Sequence, residues 1–191
     1  MEQDYQYKAK LLAQLREEYG KVTYTYTCFN KSIQILKNRD KIINIVQIIL
    51  SALSTVGLVS LLNIDCFWVK FLSTLVSAIL LAITLYTNRF RLSDDIRSYT
   101  QGSDELWKIR ADYISLLTDI DQLCTDQIVK LRDELIERTD AAYRKYPKTS
   151  EKSYKKAQKA LKSKEEQFFS DVELDIMLPK HLRTNGETIP L

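Results

Sequence analysis

The sequence predicts an all-α membrane protein: a two-helix transmembrane hairpin with long cytoplasmic helices packed as an antiparallel bundle or coiled coil. Three observations predict it. The apolar residues are concentrated in two runs, at about residues 42–62 and 68–87, although charged residues make up 28% of the 191-residue chain. Only a short link, "NIDCF", separates the runs. Both flanks are charged and carry apolar residues at helical spacing. A water-soluble domain spreads its core residues along the whole chain at helix or strand period, so this segregation is informative.

Four parts follow in chain order: a cytoplasmic N-terminal helix (1–41), the hairpin (42–87), a long cytoplasmic helix (88–146), and a charged C-terminal helix with a tail (147–191). In the first part Tyr5, Leu12, Tyr19, Tyr26 and Ile33 recur every seven residues, and Leu15, Val22, Phe29 and Leu36 fill the partner positions. That is coiled-coil-like spacing. The stretch "VTYTYTCF" (22–29) alternates like a strand, and Gly20 is a place for a break. The seven-residue register holds on both sides, which favours helix.

The first run has no charge between residues 42 and 62, and the second has only Lys70. At about 1.5 Å per residue, each spans the roughly 30 Å hydrocarbon layer. Backbone groups in lipid must bond internally, so the link is expected at the headgroups. Asn63 and Asp65 suit its turn, and Phe67, Trp68 and Tyr86 suit the interfacial belts. Lys31, Lys37, Arg39 and Lys41 precede the first span; Arg89, Arg91 and Arg97 follow the second. The positive-inside rule then places both termini in the cytoplasm and Cys66 outside. No signal peptide is expected, because the first forty residues lack a short apolar core with a cleavage site.

After the hairpin a loop is expected around residues 100–103. Ser103, followed by Asp104 and Glu105, reads as a helix start, with one long helix to Lys145 ended by Pro147. Leu106, Ile109, Tyr113, Leu116, Leu117, Ile120 and Leu123 mark its apolar face, continued by Ile128, Leu131 and Leu135. Packing against the N-terminal helix is expected through Leu12, Leu15, Tyr113, Leu117 and Ile120. Residues 144–164 are basic, and residues 165–175 are acidic. The basic segment reads as a solvated helix or as a lipid or partner surface; it lacks the interleaved aromatics of a nucleic-acid binder.

Catalysis is not expected. His181 is the sole histidine, so histidine triads and multi-histidine metal sites are excluded. The four glycines are isolated, which excludes a glycine-rich phosphate loop. Cys28, Cys66 and Cys124 are far apart and read as reduced thiols. The net charge of +3 is too small to define a partner. No metal or cofactor is expected.

The hairpin instead carries a polar row. Asn44, Gln47, Ser51 and Ser54, with Thr55, recur every three or four residues, and Leu58 continues the face. Ser73, Thr74, Ser77 and Thr84 repeat it more weakly. Small and hydroxylated residues let membrane helices pack closely. The same face lines water if several copies assemble, with Leu58 as an apolar constriction. The sequence leaves both readings open.

The charged N-terminal helix, the tight hairpin, "LWKIRADYISLLTDI" (106–120) and the ending "DIMLPKHLR" (175–183) resemble the SLATT family, bacterial two-transmembrane effectors of anti-phage conflict systems. The resemblance implies a pore-forming or membrane-depolarising effector in the inner membrane, acting in abortive infection. Its expected partners are the bilayer, copies of itself, and a separate sensor such as a reverse-transcriptase or nucleotide-signal module. The family supplies no catalytic residues to carry over. The alternative reading is a non-catalytic membrane anchor or adaptor that scaffolds a cytoplasmic partner.

Overall fold

A computed structural model describes residues 2–63, 67–89, 91–163, 165–179 and 183. The side chains of Tyr5 and Leu58, the link residues Asp65 and Cys66, and His181 lie outside the described residues. Among the described residues every regular element is an α-helix. They are α1 (Glu2–Asn63), α2 (Phe67–Arg89), α3 (Leu92–Asp119), α4 (Thr125–Lys145), α5 (Glu151–Ser163) and α6 (Asp171–Met177).

The N-terminal helix and the first apolar run are one element. α1 continues for 62 residues, on the order of 90 Å, through Gly20 and through "VTYTYTCF". That stretch is helical because each of its residues finds a helical use. Val22 and Phe29 enter the core at 0% and 3% exposure. The hydroxyl of Thr27 donates to the Thr23 carbonyl at 2.9 Å, and that of Ser32 to the Cys28 carbonyl at 3.0 Å. These bonds satisfy buried β-branched and small polar residues inside a helix. Tyr24 and Tyr26 flank the seam, one against Tyr154 and the other against Trp107, with ring centroids 5.0 and 5.4 Å apart. Burial, then Tyr154, pushes the Tyr24 phenol above its ordinary range. Burial also pushes the Cys28 thiol up to about 11, which leaves it protonated and unreactive.

The core joins α1, α3 and α4. Leu11, Leu15, Val22 and Phe29 of α1 meet Leu106, Ile109, Tyr113, Leu116 and Ile120, and then Ile128, Leu135, Ala142 and Tyr146. Of the expected packing residues, Leu15, Tyr113 and Ile120 are buried, whereas Leu12 and Leu117 pack partly buried at the margin. The seam therefore runs through Leu11 and Leu116, one residue to the side of the expected line.

The long helix expected after the hairpin is two helices, α3 and α4. α3 begins at Leu92, so residues 100–103 are helical and Ser103 is not a start. Gly102 and Ser103 serve close approach instead. A Cβ at Gly102 would lie 2.6 Å from the Phe29 ring and 2.8 Å from Tyr146. The Ser103 hydroxyl donates to the Asn30 side-chain oxygen at 3.1 Å. α3 ends at Asp119, where its apolar seam reaches the start of α1. The Lys8 ammonium donates to the Asp121 and Leu123 carbonyls at 3.4 and 3.2 Å, a cation placed at a helix C-terminus. α4 then starts with the Cys124 amide donating to Gln127 Oε1 at 3.1 Å. It returns along α1: Arg132 meets Gln14, Tyr143 meets Thr25, and Tyr146 meets Phe29.

The C-terminal part contains two short helices. α5 packs on α1 through Ser153, Ala157 and Ala160, all nearly inaccessible. The Lys31–Glu166 pair, at 2.6 Å, fixes the chain beyond it. Phe168 lies after α5 and is exposed.

Two predictions follow from the α3–α4 contacts. Gly102→Val should cost about 1–3 kcal/mol in thermal or denaturant unfolding, because neither ring can retreat without leaving the core. Glu105 accepts from the Tyr146 hydroxyl at 2.7 Å and from Lys145 at 3.0 Å, which holds its carboxyl below the usual range. Its contribution should be complete above the ordinary glutamate value of about 4.3 and disappear as pH falls through the lower folded value. The stability difference between wild type and Glu105→Gln, measured from pH 7 to pH 3, should therefore narrow on acidification.

Candidate membrane site: the polar row of the hairpin

α1 and α2 each contain a stretch long and apolar enough to cross a membrane. Many of their apolar side chains are exposed. Ile48 is 69% exposed, Val56 65%, Phe67 and Trp68 73% each, and Leu85 61%. In a helix held by packing against its own chain these residues would be inside.

The polar residues divide between two edges. Along one edge α1 meets α2. Gln47 Nε2 donates to Thr87 Oγ1 at 3.4 Å, and the Ser54 and Ser77 hydroxyls lie 3.3 Å apart. Closer to the link, a Cβ at Gly57 would lie 2.5 Å from Ser73 Oγ, and Ser73 is buried. The pairing order descends along α2 as it ascends along α1. Gly57 thus lets α1 and α2 approach closely, which is the role small residues play between membrane helices.

The other edge is open. Asn44, Ser51 and Thr55 are exposed. Thr55 donates to the Ser51 carbonyl at 3.0 Å, and Thr74 and Thr84 bond carbonyls of their own helix in the same way. Asn44 donates to Asp40 at 3.1 Å. It stands at the mouth of an open cavity of about 550 Å³ lined by Asp40, Gln47, Thr87, Arg91 and Asp94 among others. Arg91 and Asp94 form an ion pair at 3.6 Å.

Thus the predicted row Asn44, Gln47, Ser51, Ser54 spans a junction edge and an exposed edge. Gln47 and Ser54 bond across to α2, whereas Ser51 and Asn44, which shares a cavity with Gln47 and Thr87, are exposed. Sequence reasoning did not place Thr87, Gly57 or the cavity residues Asp40, Arg91 and Asp94 at this site. Asp40 stands four residues before Asn44, a helical spacing that was legible; Thr87 and Arg91 lie at and beyond the end of the second apolar run.

Comparison with known proteins identifies one family model, described as "SMODS and SLOG-associating 2TM effector domain family 4", which matches residues 11–173. No curated protein and no solved structure matches the chain.

The junction makes a direct prediction. In a chain without other cysteines, Ser54→Cys with Ser77→Cys should form an intramolecular disulfide readily under mild oxidation. Adding Gly57→Leu should reduce the yield several-fold, because the new side chain separates the helices at Ser73. The readout is the shift in mobility of the cross-linked monomer.

Proposed function

The chain belongs to family 4 of the SMODS- and SLOG-associating two-transmembrane effector domains, and from that premise we propose an oligomeric effector that depolarises a bacterial membrane. The membership makes it a two-transmembrane effector domain associated with anti-phage conflict systems. In the proposal, hairpins of several copies assemble so that their open polar edges face one another around water. The cell membrane loses its potential, and an infected cell dies or stops growing before phage is released.

One observation carries the reading: half of the hairpin's polar row lies on its outer surface. Gln47 and Ser54 are used within the chain, while Asn44 and Ser51 remain on its outer surface. An amide or hydroxyl facing hydrocarbon costs free energy, and polar membrane residues therefore face protein or water. A two-helix hairpin encloses neither, so further copies supply the missing cover. Leu58, seven residues beyond Ser51 in sequence, is the proposed constriction that closes the path by dewetting.

The remaining parts of the proposal follow. The helices α1 before residue 42, α3 and α4 form an antiparallel cytoplasmic bundle that holds the subunits in register. Both termini face the cytoplasm of a bacterial inner membrane. The protein is non-catalytic, and the trigger comes from a separate sensor protein.

The experiment is expression with a membrane-potential dye. Asn44→Leu with Ser51→Val should leave the amount of membrane-inserted protein unchanged and reduce depolarisation by about tenfold or more. Undiminished depolarisation would remove the open edge from any water path. Replacing the whole hairpin with an unrelated apolar hairpin of equal length separates this reading from a passive anchor, which would keep its function.

A further inference from the structure

At 100° per residue, all five lysines of α5 — Lys152, Lys155, Lys156, Lys159 and Lys162 — fall within one arc of about 120°. The buried Ser153, Ala157 and Ala160 lie outside that arc, against α1. Two contacts orient the helix around this packing face. Lys152 lines the same cleft, of about 290 Å³, as Leu36 and Arg39 of α1. Tyr154, on the opposite side of α5, packs against Tyr24.

Distance along α1 converts these contacts into depth. Leu36 and Arg39 lie about 9 and 4.5 Å before Ile42, where the apolar run begins, and Tyr24 lies about 27 Å before it. α5 therefore crosses α1 with its tyrosine edge turned from the hairpin and its lysine edge turned toward it. The headgroup layer adds about 5–7 Å outside the hydrocarbon, and the Debye length is about 8 Å at physiological salt. An extended lysine stem at Lys152 reaches that layer, and the other lysines of the edge lie within a few Debye lengths of it. Lys37, Arg39 and Lys41 lie at the entry of α1 and Arg89 at the exit of α2, beside Asp40 and the Arg91–Asp94 ion pair. The edge thus extends a basic zone around the place where the hairpin enters lipid.

We propose that the lysine edge of α5 is a docking surface for the anionic headgroups of the bilayer that holds the hairpin. It sets how α5, and with it the α4–α5 corner, rests on the membrane. The proposal rests on the two-transmembrane reading but not on pore formation. The sequence alone could not assign this basic segment, because it does not say toward what the lysines point.

The test uses the full chain in lipid nanodiscs that hold one copy each, made either of phosphatidylcholine or with roughly one third phosphatidylglycerol. Lysine acetylation by a water-soluble reagent is followed residue by residue by mass spectrometry. Lys152, Lys156 and Lys159 should react about threefold or more slowly in the anionic discs, and high salt should remove the difference. Lys130 on α4 should be unaffected, because neighbouring Arg132 meets Gln14, far from the hairpin. In a second measurement, Lys152→Gln with Lys156→Gln and Lys159→Gln should abolish any extra hydrogen-exchange protection of α5 in anionic discs. Equal acetylation in both discs would overturn the proposal, as would slowing of Lys130 to the same degree. Protection that appears only on adding an RNA oligomer would overturn it in favour of nucleic acid. Failure to enter discs of either composition would remove the bilayer premise, and this proposal with it.

Discussion

An unbroken hydrogen-bonded helix of 62 residues joins the water-facing and apolar parts of this chain. Its inner seam, from Leu11 to Phe29, is covered by α3 and α4. Beyond Ser32 that cover ends, and from Ile42 the same helix presents isoleucine, valine and leucine to its surroundings. A helix without a break near residue 42 cannot bend these residues back into its own core. Something outside the chain must cover them. For a two-transmembrane domain that cover is lipid, where a fully hydrogen-bonded backbone is the requirement for crossing.

The same rigidity couples the two ends. Because α1 belongs to both, a motion of the α1–α3–α4 core would be carried into the hairpin. The coupling is reinforced at the membrane border, where the cavity lined by Asp40, Asn44, Gln47, Thr87, Arg91 and Asp94 gathers residues from α1, α2 and α3. A sensor acting on the cytoplasmic helices in the proposed mechanism would thus reach Asn44 through one continuous element. Two contacts hold the hairpin as a unit during such a movement: the Gln47–Thr87 hydrogen bond and the seat of Gly57 on Ser73.

Much of this was legible in the sequence for a simple reason. Two apolar runs of membrane length need no tertiary information to be recognised, and neither does a seven-residue register such as Leu15, Val22 and Phe29. What was not legible depends on neighbours distant in sequence. Gly102–Ser103 reads as a loop until Phe29, Tyr146 and Asn30 are seen against it. The reversal between α3 and α4 is hidden because Ile120, Leu123 and Ile128 keep a helical period across it. The packing face of α5 is hidden because Ser153, Ala157 and Ala160 are too small to form an apolar stripe. The polar row of α1 was recognised, but its division into a junction edge and an open edge depends on where α2 lies.

The proposed function turns on whether the open edge meets water. Single cysteines placed in turn at residues 44–55 of an otherwise cysteine-free active chain, probed in the membrane with a water-soluble thiol reagent, test this most directly. The account predicts rapid reaction at 44, 51 and 55 and slow reaction at 45, 49 and 53, a helical pattern that appears on activation. Uniformly slow reaction at all these positions in depolarised cells, or rapid reaction on the isoleucine and leucine side instead, would contradict it.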